Sequence, residues 1–203
     1  MTAKSLRPQF PEELLLRGSW KRFLQLIALF VPGQTTWRVR LHRWRGVHIG
    51  EFVHIGTAVM IETAFPEWVS IGNNVVIGMR ATLIAHFEGN PPPLEQLKDN
   101  ISIRIEDEAF VGPCSLIMPN VTIGRGAVIT AGSVVTRSVP PMTMVQGNPA
   151  RPIAKCGIPL TFRTPLKEFL LQIKPIRSAR GESAQADDGG VPSDPHKIPN
   201  PAI

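Results

Sequence analysis

Tyrosine is absent from the 203 residues, and aromatic side chains make up only 6% of them. Two cysteines occur, Cys114 and Cys156, so a disulfide framework is excluded and no Cys-x-x-Cys metal pair can form. No uninterrupted apolar run reaches the roughly 18 residues that cross a bilayer, which excludes a channel or transporter built of spanning helices. Charge is sparse at 19% while hydrophobic residues reach 43%, so the chain can build a core and is not wholly disordered. Glycine (17) and proline (20) are plentiful instead, a composition that suits many short turns better than long helices.

The net charge of +6 is unevenly placed. Lys4, Arg7, Arg17, Lys21, Arg22, Arg38, Arg40, Arg43 and Arg45 face only Glu12 and Glu13 in the first 50 residues. That segment reads as a basic helical cap over 1–46. Trp20, Phe23, Leu24, Ile27 and Phe30 recur at helical spacing, which predicts a helix packed on the domain. The rival reading lays that helix in a membrane surface with its basic residues toward lipid phosphates. Lys21 and Arg22 precede a short apolar stretch, but Pro32-Gly33 follows and no small-residue cleavage site does, so a signal peptide is not expected. A second helix should start at Thr35 or Thr36, with the hydroxyl as cap, and stop at Gly46. Its arginines 38, 40, 43 and 45 read as a solvated face, since no stacking aromatics or nucleic-acid motif accompany them.

The middle of the chain carries a period of six. Aliphatic anchors stand at Ile49, Ile55 and Ile61, then Ile71, Ile77 and Leu83, then Ile105, Val111, Ile117, Ile123, Ile129 and Val135. Gly follows directly at six of them, at 50, 56, 72, 78, 112 and 124. Four places after the anchor a small or β-branched residue recurs, broken only by Phe65 and Phe87. Because a strand alternates its side chains, anchor and anchor-plus-four face the same way. A turn every six residues makes each hexad one edge, and three edges close a triangular coil of 18 residues. Stacked coils pair as parallel strands, and both ends need caps. The register skips four residues near Pro66-Glu67-Trp68 and 16 within an excursion loop over 87–102.

Beyond the repeat, Thr164-Pro165 followed by Leu166, Phe169, Leu170 and Ile173 predicts a short amphipathic helix capped by Thr164. The expected organisation is a cap over 1–46, a β-helix domain over 47–155, a segment with a short helix over 156–177, and a disordered tail over 178–203.

The hexads, His86 just before the excursion, and Gly147-Asn148-Pro149-Ala150-Arg151 resemble the left-handed β-helix (hexapeptide-repeat) acyltransferases. Within that family the chain is most similar to the maltose/galactoside and xenobiotic acetyltransferase branch. The fold class implied is all-β, a left-handed parallel β-helix with N-terminal helices. The hand comes from the resemblance alone, since parallel crossovers in ordinary sheets are right-handed. The resemblance also implies a homotrimer with sites between subunits, acetyl-CoA as co-substrate, no metal, and an acceptor hydroxyl on a saccharide or similar small molecule. His86 matches the family's catalytic histidine. An imidazole titrates near neutrality and can take the proton of an alcohol attacking a thioester, with no covalent enzyme intermediate. A backbone N–H would serve the developing oxyanion.

Further positions are carried over by the same resemblance. Gly112, Ala131 and Gly132 match the track of the pantetheine arm, although tight packing explains small residues there equally well. Thr136 and Arg137 match a Thr-Lys pair at the nucleotide end, and Arg151 is placed at the 3′-phosphate. Glu62 and Glu88 are the candidate substrate-side carboxylates, able to orient His86 or hold a sugar hydroxyl. Cys114 and Cys156 have no task in a direct transfer. His42, His48 and His54 are spaced by six and suggest an alternative, a γ-carbonic-anhydrase-like zinc enzyme. A step of six moves one edge around the triangle, which separates the rings. The other alternative is a non-catalytic β-helix scaffold. The expected location is cytoplasmic, at the inner membrane face if the basic cap touches lipid, where modification of a polysaccharide would fit.

Overall fold

The structure is a computed structural model that describes residues 15–86 and 101–176. Two helices, α1 (Leu15–Phe30) and α2 (Trp37–Arg45), lead into a prism of two- and three-residue strands. Three parallel sheets form its walls. The first stacks β1 (His48–Ile49), β4 (Val69–Ile71), β7 (Ile103–Ile105) and β10 (Val121–Ile123). The second stacks β2 (His54–Ile55), β5 (Val76–Ile77), β8 (Phe110–Val111) and β11 (Val128–Ile129). The third stacks β3 (Met60–Ile61), β6 (Thr82–Leu83), β9 (Leu116–Ile117) and β12 (Val134–Val135).

The register is the one the anchors require. Ile49 faces Ile71, Ile71 faces Ile105, and Ile105 faces Ile123. Every anchor except Ile49, which is half-buried, is buried in one continuous core. Apart from the half-buried Phe65, the described members of the anchor-plus-four column from Val53 to Val139 are buried beside it, Ser115 and Ser133 included. The two skips therefore leave the ladder intact, since Ile61 still faces Leu83 and Leu83 still faces Ile117.

Nine of the corners pass through a left-handed residue three places after the anchor. Phe52, Ala58, Asn74, Arg80, Glu108, Cys114 and Asn120 all have φ between 55° and 61°, and Gly126 and Gly132 continue the series. The glycine after the anchor answers a different demand, close approach between coils. A Cβ on Gly78 would lie 2.5 Å from the Pro113 nitrogen, and one on Gly112 would lie 2.6 Å from the Ala131 nitrogen.

The first coil has no coil above it, so its backbone groups would be unpaired. The helical cap supplies the partners. Arg38 Nη1 donates to Ile55 O at 2.7 Å, and Gln25 Nε2 donates to Val59 O at 3.2 Å. Arg45 Nη2 donates to the carbonyls of Ile61 and Glu62, while its Nε donates to Lys21 O at 3.0 Å. Ile55 N–H and Ala58 N–H reach Gln34 O and Leu29 O. This corrects the expectation of a solvated arginine face: Arg40 and Arg43 are exposed, but Arg38 and Arg45 are buried because an open coil edge offers them carbonyls.

The helix α1 also differs from expectation. It packs through Lys21, Leu24, Gln25 and Ala28, whereas Trp20, Phe23, Ile27 and Phe30 are exposed. Gly46 ends α2 in the left-handed conformation, as its position predicts, but Thr36 makes no side-chain cap.

At the far end, β13 (Thr143–Gly147) pairs in parallel with β11, then turns at the cis Asn148-Pro149 bond into antiparallel β14 (Ala150–Cys156). Next come α3 (Leu166–Leu171) and β15 (Ile173–Pro175), which covers β14. The short helix starts where the sequence places it but ends at Leu171, so Ile173, expected on its apolar face, lies in β15 instead. Thr164 does not cap it, however, because its hydroxyl donates to Pro159 O at 2.9 Å. Phe87, Glu88, residues 87–100 of the excursion loop and the tail over 178–203 lie outside the described residues.

Candidate active site

The candidate site forms on the third wall, between the first and second coils. Pairing of Ile61 with Leu83 brings Glu62 N–H onto Leu83 O at 2.9 Å, so Glu62 stands two residues from His86 across the ladder. Six other anchors are followed by glycine, but here the position carries a carboxylate that turns into the corner and is 3% exposed. Its Oε1 accepts the Ala64 N–H at 2.8 Å and the Phe65 N–H at 3.3 Å. Its Oε2 accepts the Ala85 N–H at 2.8 Å and lies 2.7 Å from His86 Nδ1. Burial alone would raise this carboxyl. The His86 hydrogen bond, the amides of Ala64 and Ala85 and the charge on the imidazole outweigh burial and hold it below the usual carboxylate range.

An ionised carboxylate can only accept. Nδ1 of His86 therefore carries the hydrogen, and in the neutral ring the lone pair sits on Nε2. The ring occupies the anchor-plus-three corner after Leu83, with its side chain 21% exposed. Phe65 meets it edge-on at 5.4 Å and is itself stacked on Trp68 at 4.2 Å. A cleft of about 360 Å³ opens beside it, lined by Met60, Thr82, Leu83 and Met118 together with Glu62 and His86. Phe65, which packs on the His86 ring, and Trp68 behind it were not among the candidate site residues. Their signal was the four-residue skip, which supplies the single 3₁₀ turn Pro66–Trp68 that packs them there.

The remaining candidates gather elsewhere. Gly112 and Ala131 stack at one corner of adjacent coils, and Gly132 beside them has open space around its Cα. Arg137 and Arg151 line one cleft of about 360 Å³ with Ser138, Val145 and Pro152. Thr136 is exposed next to Arg137. None of these residues lines the His86 cleft.

His42 is buried in α2, where its Nδ1 accepts from Arg45 Nη1 at 3.0 Å. Burial, then the charges of Arg45 and Arg38, depress it to about 3. Burial also depresses Arg45, to about 10, against the opposing effect of Glu62. His48 lies in β1 of the first sheet and His54 in β2 of the second, stacked on Phe162 at 5.1 Å. Among the described residues no three His, Cys, Asp or Glu side chains come together as a metal site. Cys114 is exposed at a corner, and burial pushes the Cys156 thiol up against the effect of Lys155.

Stacked hexads closing a capped triangular prism define a class, the hexapeptide-repeat β-helices. The bacterial transferase hexapeptide family (six repeats) matches residues 102–137. YvoF of Bacillus subtilis (strain 168), which carries an acetyltransferase name, is 34% identical over 137 residues, covering 64% of this chain and 74% of that protein. Galactoside O-acetyltransferase of Escherichia coli (strain K12) is 34% identical over 111 residues, 53% of each chain. Among solved structures, a hexapeptide-repeat acetyltransferase of Vibrio cholerae complexed with acetyl-coenzyme A superposes with a TM-score of 0.51 at 24% identity, over 71% of this chain and 89% of that one. The chain belongs to the hexapeptide-repeat acyltransferase family, with the left-handed parallel β-helix of that family.

Proposed function

We propose that this enzyme transfers an acetyl group from acetyl-CoA directly to a hydroxyl of a saccharide or similar small acceptor, with His86 as general base. The observation that carries the reading is the buried Glu62 carboxylate holding Nδ1 of His86 at 2.7 Å, beside an open cleft. Nε2 accepts the hydroxyl proton as the acceptor oxygen bonds to the thioester carbonyl carbon. Collapse of the adduct breaks the carbon–sulfur bond, and the proton on Nε2 passes to the departing thiolate. Glu62 fixes the tautomer and offsets the imidazolium charge formed midway. The donor fits residues that are present: Arg137 and Arg151 offer two guanidinium groups to phosphates from one cleft, and Gly112, Ala131 and Gly132 present a corner free of bulky side chains. A homotrimer belongs to the same reading, because the His86 cleft is open along a flank bearing the exposed Met60.

The test is thiol release from acetyl-CoA with a panel of sugars, products identified by mass, and particle mass measured by light scattering. Acetylated product from wild type but not from His86→Ala, at about three times the 22.3 kDa chain mass, is the expected result. Undiminished transfer by His86→Ala overturns the base assignment.

A further inference from the structure

We infer that the outward face of α1 is a docking surface for an anionic lipid bilayer. Trp20, Phe23, Leu26, Ile27 and Phe30 all turn away from the protein, with Leu26 64% and Phe30 72% exposed. The same helix packs inward through Lys21, Leu24, Gln25 and Ala28, so its large aromatic side chains are left on the outer side. A helix face meant for water does not carry five large apolar side chains together. Trp37 and Trp44, spaced seven apart on α2, are exposed as well, so the cap displays three of the four tryptophans of the chain. Indole rings favour the boundary between water and acyl chains. Among the described residues no helix is long and apolar enough to cross a membrane. The arrangement therefore suits a helix lying on a bilayer.

Charge selects the occupant. From Leu15 through Gly50 the chain has no Asp or Glu. Arg22 is exposed beside the apolar face, and Arg40 lies 5.6 Å from the centre of the exposed Trp37 ring. A second copy seated on this face would set the exposed Arg22 and Arg40 of two caps against each other, which repel. Anionic headgroups would neutralise them while the rings enter the acyl boundary. The inference does not rest on the reading of His86, and His86→Ala should bind lipid as the wild type does.

The experiment is flotation of the full-length protein with phosphatidylcholine vesicles, pure or containing one-third phosphatidylglycerol, with light scattering alongside. Wild type is expected to float with the anionic vesicles, and less as salt rises. Phe23→Ser/Phe30→Ser should lower partitioning about a hundredfold at an unchanged melting temperature, since each ring loses its transfer from water. Arg22→Ser should lower it about fivefold, on anionic vesicles only. Wild type that floats with neither vesicle type overturns the inference. So does a double serine variant that partitions like wild type. A double variant of smaller particle mass, beside wild type that ignores vesicles, would assign the face to contact between copies and overturn it too.

Discussion

Glu62 is held by more hydrogen bonds than a carboxylate needs merely to be buried. Its two oxygens take backbone amides from both sides of the corner and leave one direction for Nδ1 of His86. Replacing it by Gln keeps the shape and changes the chemistry. The amide nitrogen would face the Ala64 and Phe65 N–H groups in one orientation, or the Ala85 N–H together with the Nδ1 hydrogen in the other. Relief of the clash with the Nδ1 hydrogen moves the imidazole hydrogen to Nε2 and removes the base. Glu62→Gln is therefore expected to lower kcat about 100-fold with little change in KM for acetyl-CoA. Steady-state thiol release measures both constants. Loss of KM with kcat intact would mean that Glu62 serves binding and not the tautomer of His86.

The corners of the prism separate two kinds of glycine. At Gly78 a methyl group would press on the Pro113 nitrogen at 2.5 Å and on the Gly112 carbonyl carbon at 2.8 Å, so the coils must part. At Gly132 a methyl group meets nothing within 4 Å, and the cost is confined to a φ of 69°. Gly78→Ala should destabilise by about 1–3 kcal/mol and Gly132→Ala by about 1–2 kcal/mol, read from urea unfolding midpoints. The ladder these corners serve was legible in the sequence, because the inward-facing anchors tolerate only aliphatic residues. The left-handed corner was not legible, since Phe52, Arg80 and Glu108 adopt it without any preference for it. The pairing of Glu62 with His86 was half legible. The period places Ile61 beside Leu83, but only the folded corner shows the carboxylate turning inward. Arg38 and Arg45 were misread, because nothing in their spacing reveals the unpaired carbonyls of the first coil.

The cap and prism meet through a buried cluster, and the protonation of that cluster governs stability of the molecule as a whole. Arg45 ties α1 to the first coil through Lys21 O and Ile61 O, and it donates to Nδ1 of His42. That donation requires a lone pair, so His42 must be neutral when the cap is seated. An unfolded chain takes up a proton on this histidine near pH 6.5, while the folded protein resists until about pH 3. Between these values the unfolded state binds more protons, so stability falls as pH falls, by up to about 1.4 kcal/mol per pH unit. His54, also depressed by burial and by Arg38, acts in the same direction. Glu62 adds a separate step: its stabilisation is complete above the usual carboxylate range and is lost as pH drops through its lower folded value. Urea unfolding from pH 7.5 down to pH 5 should thus show falling stability before any carboxylate titrates. In His42→Asn the side-chain oxygen can still accept from Arg45, and the slope in that range should shrink to the share carried by His54. An unchanged slope would place the acid sensitivity elsewhere than the seam between cap and prism.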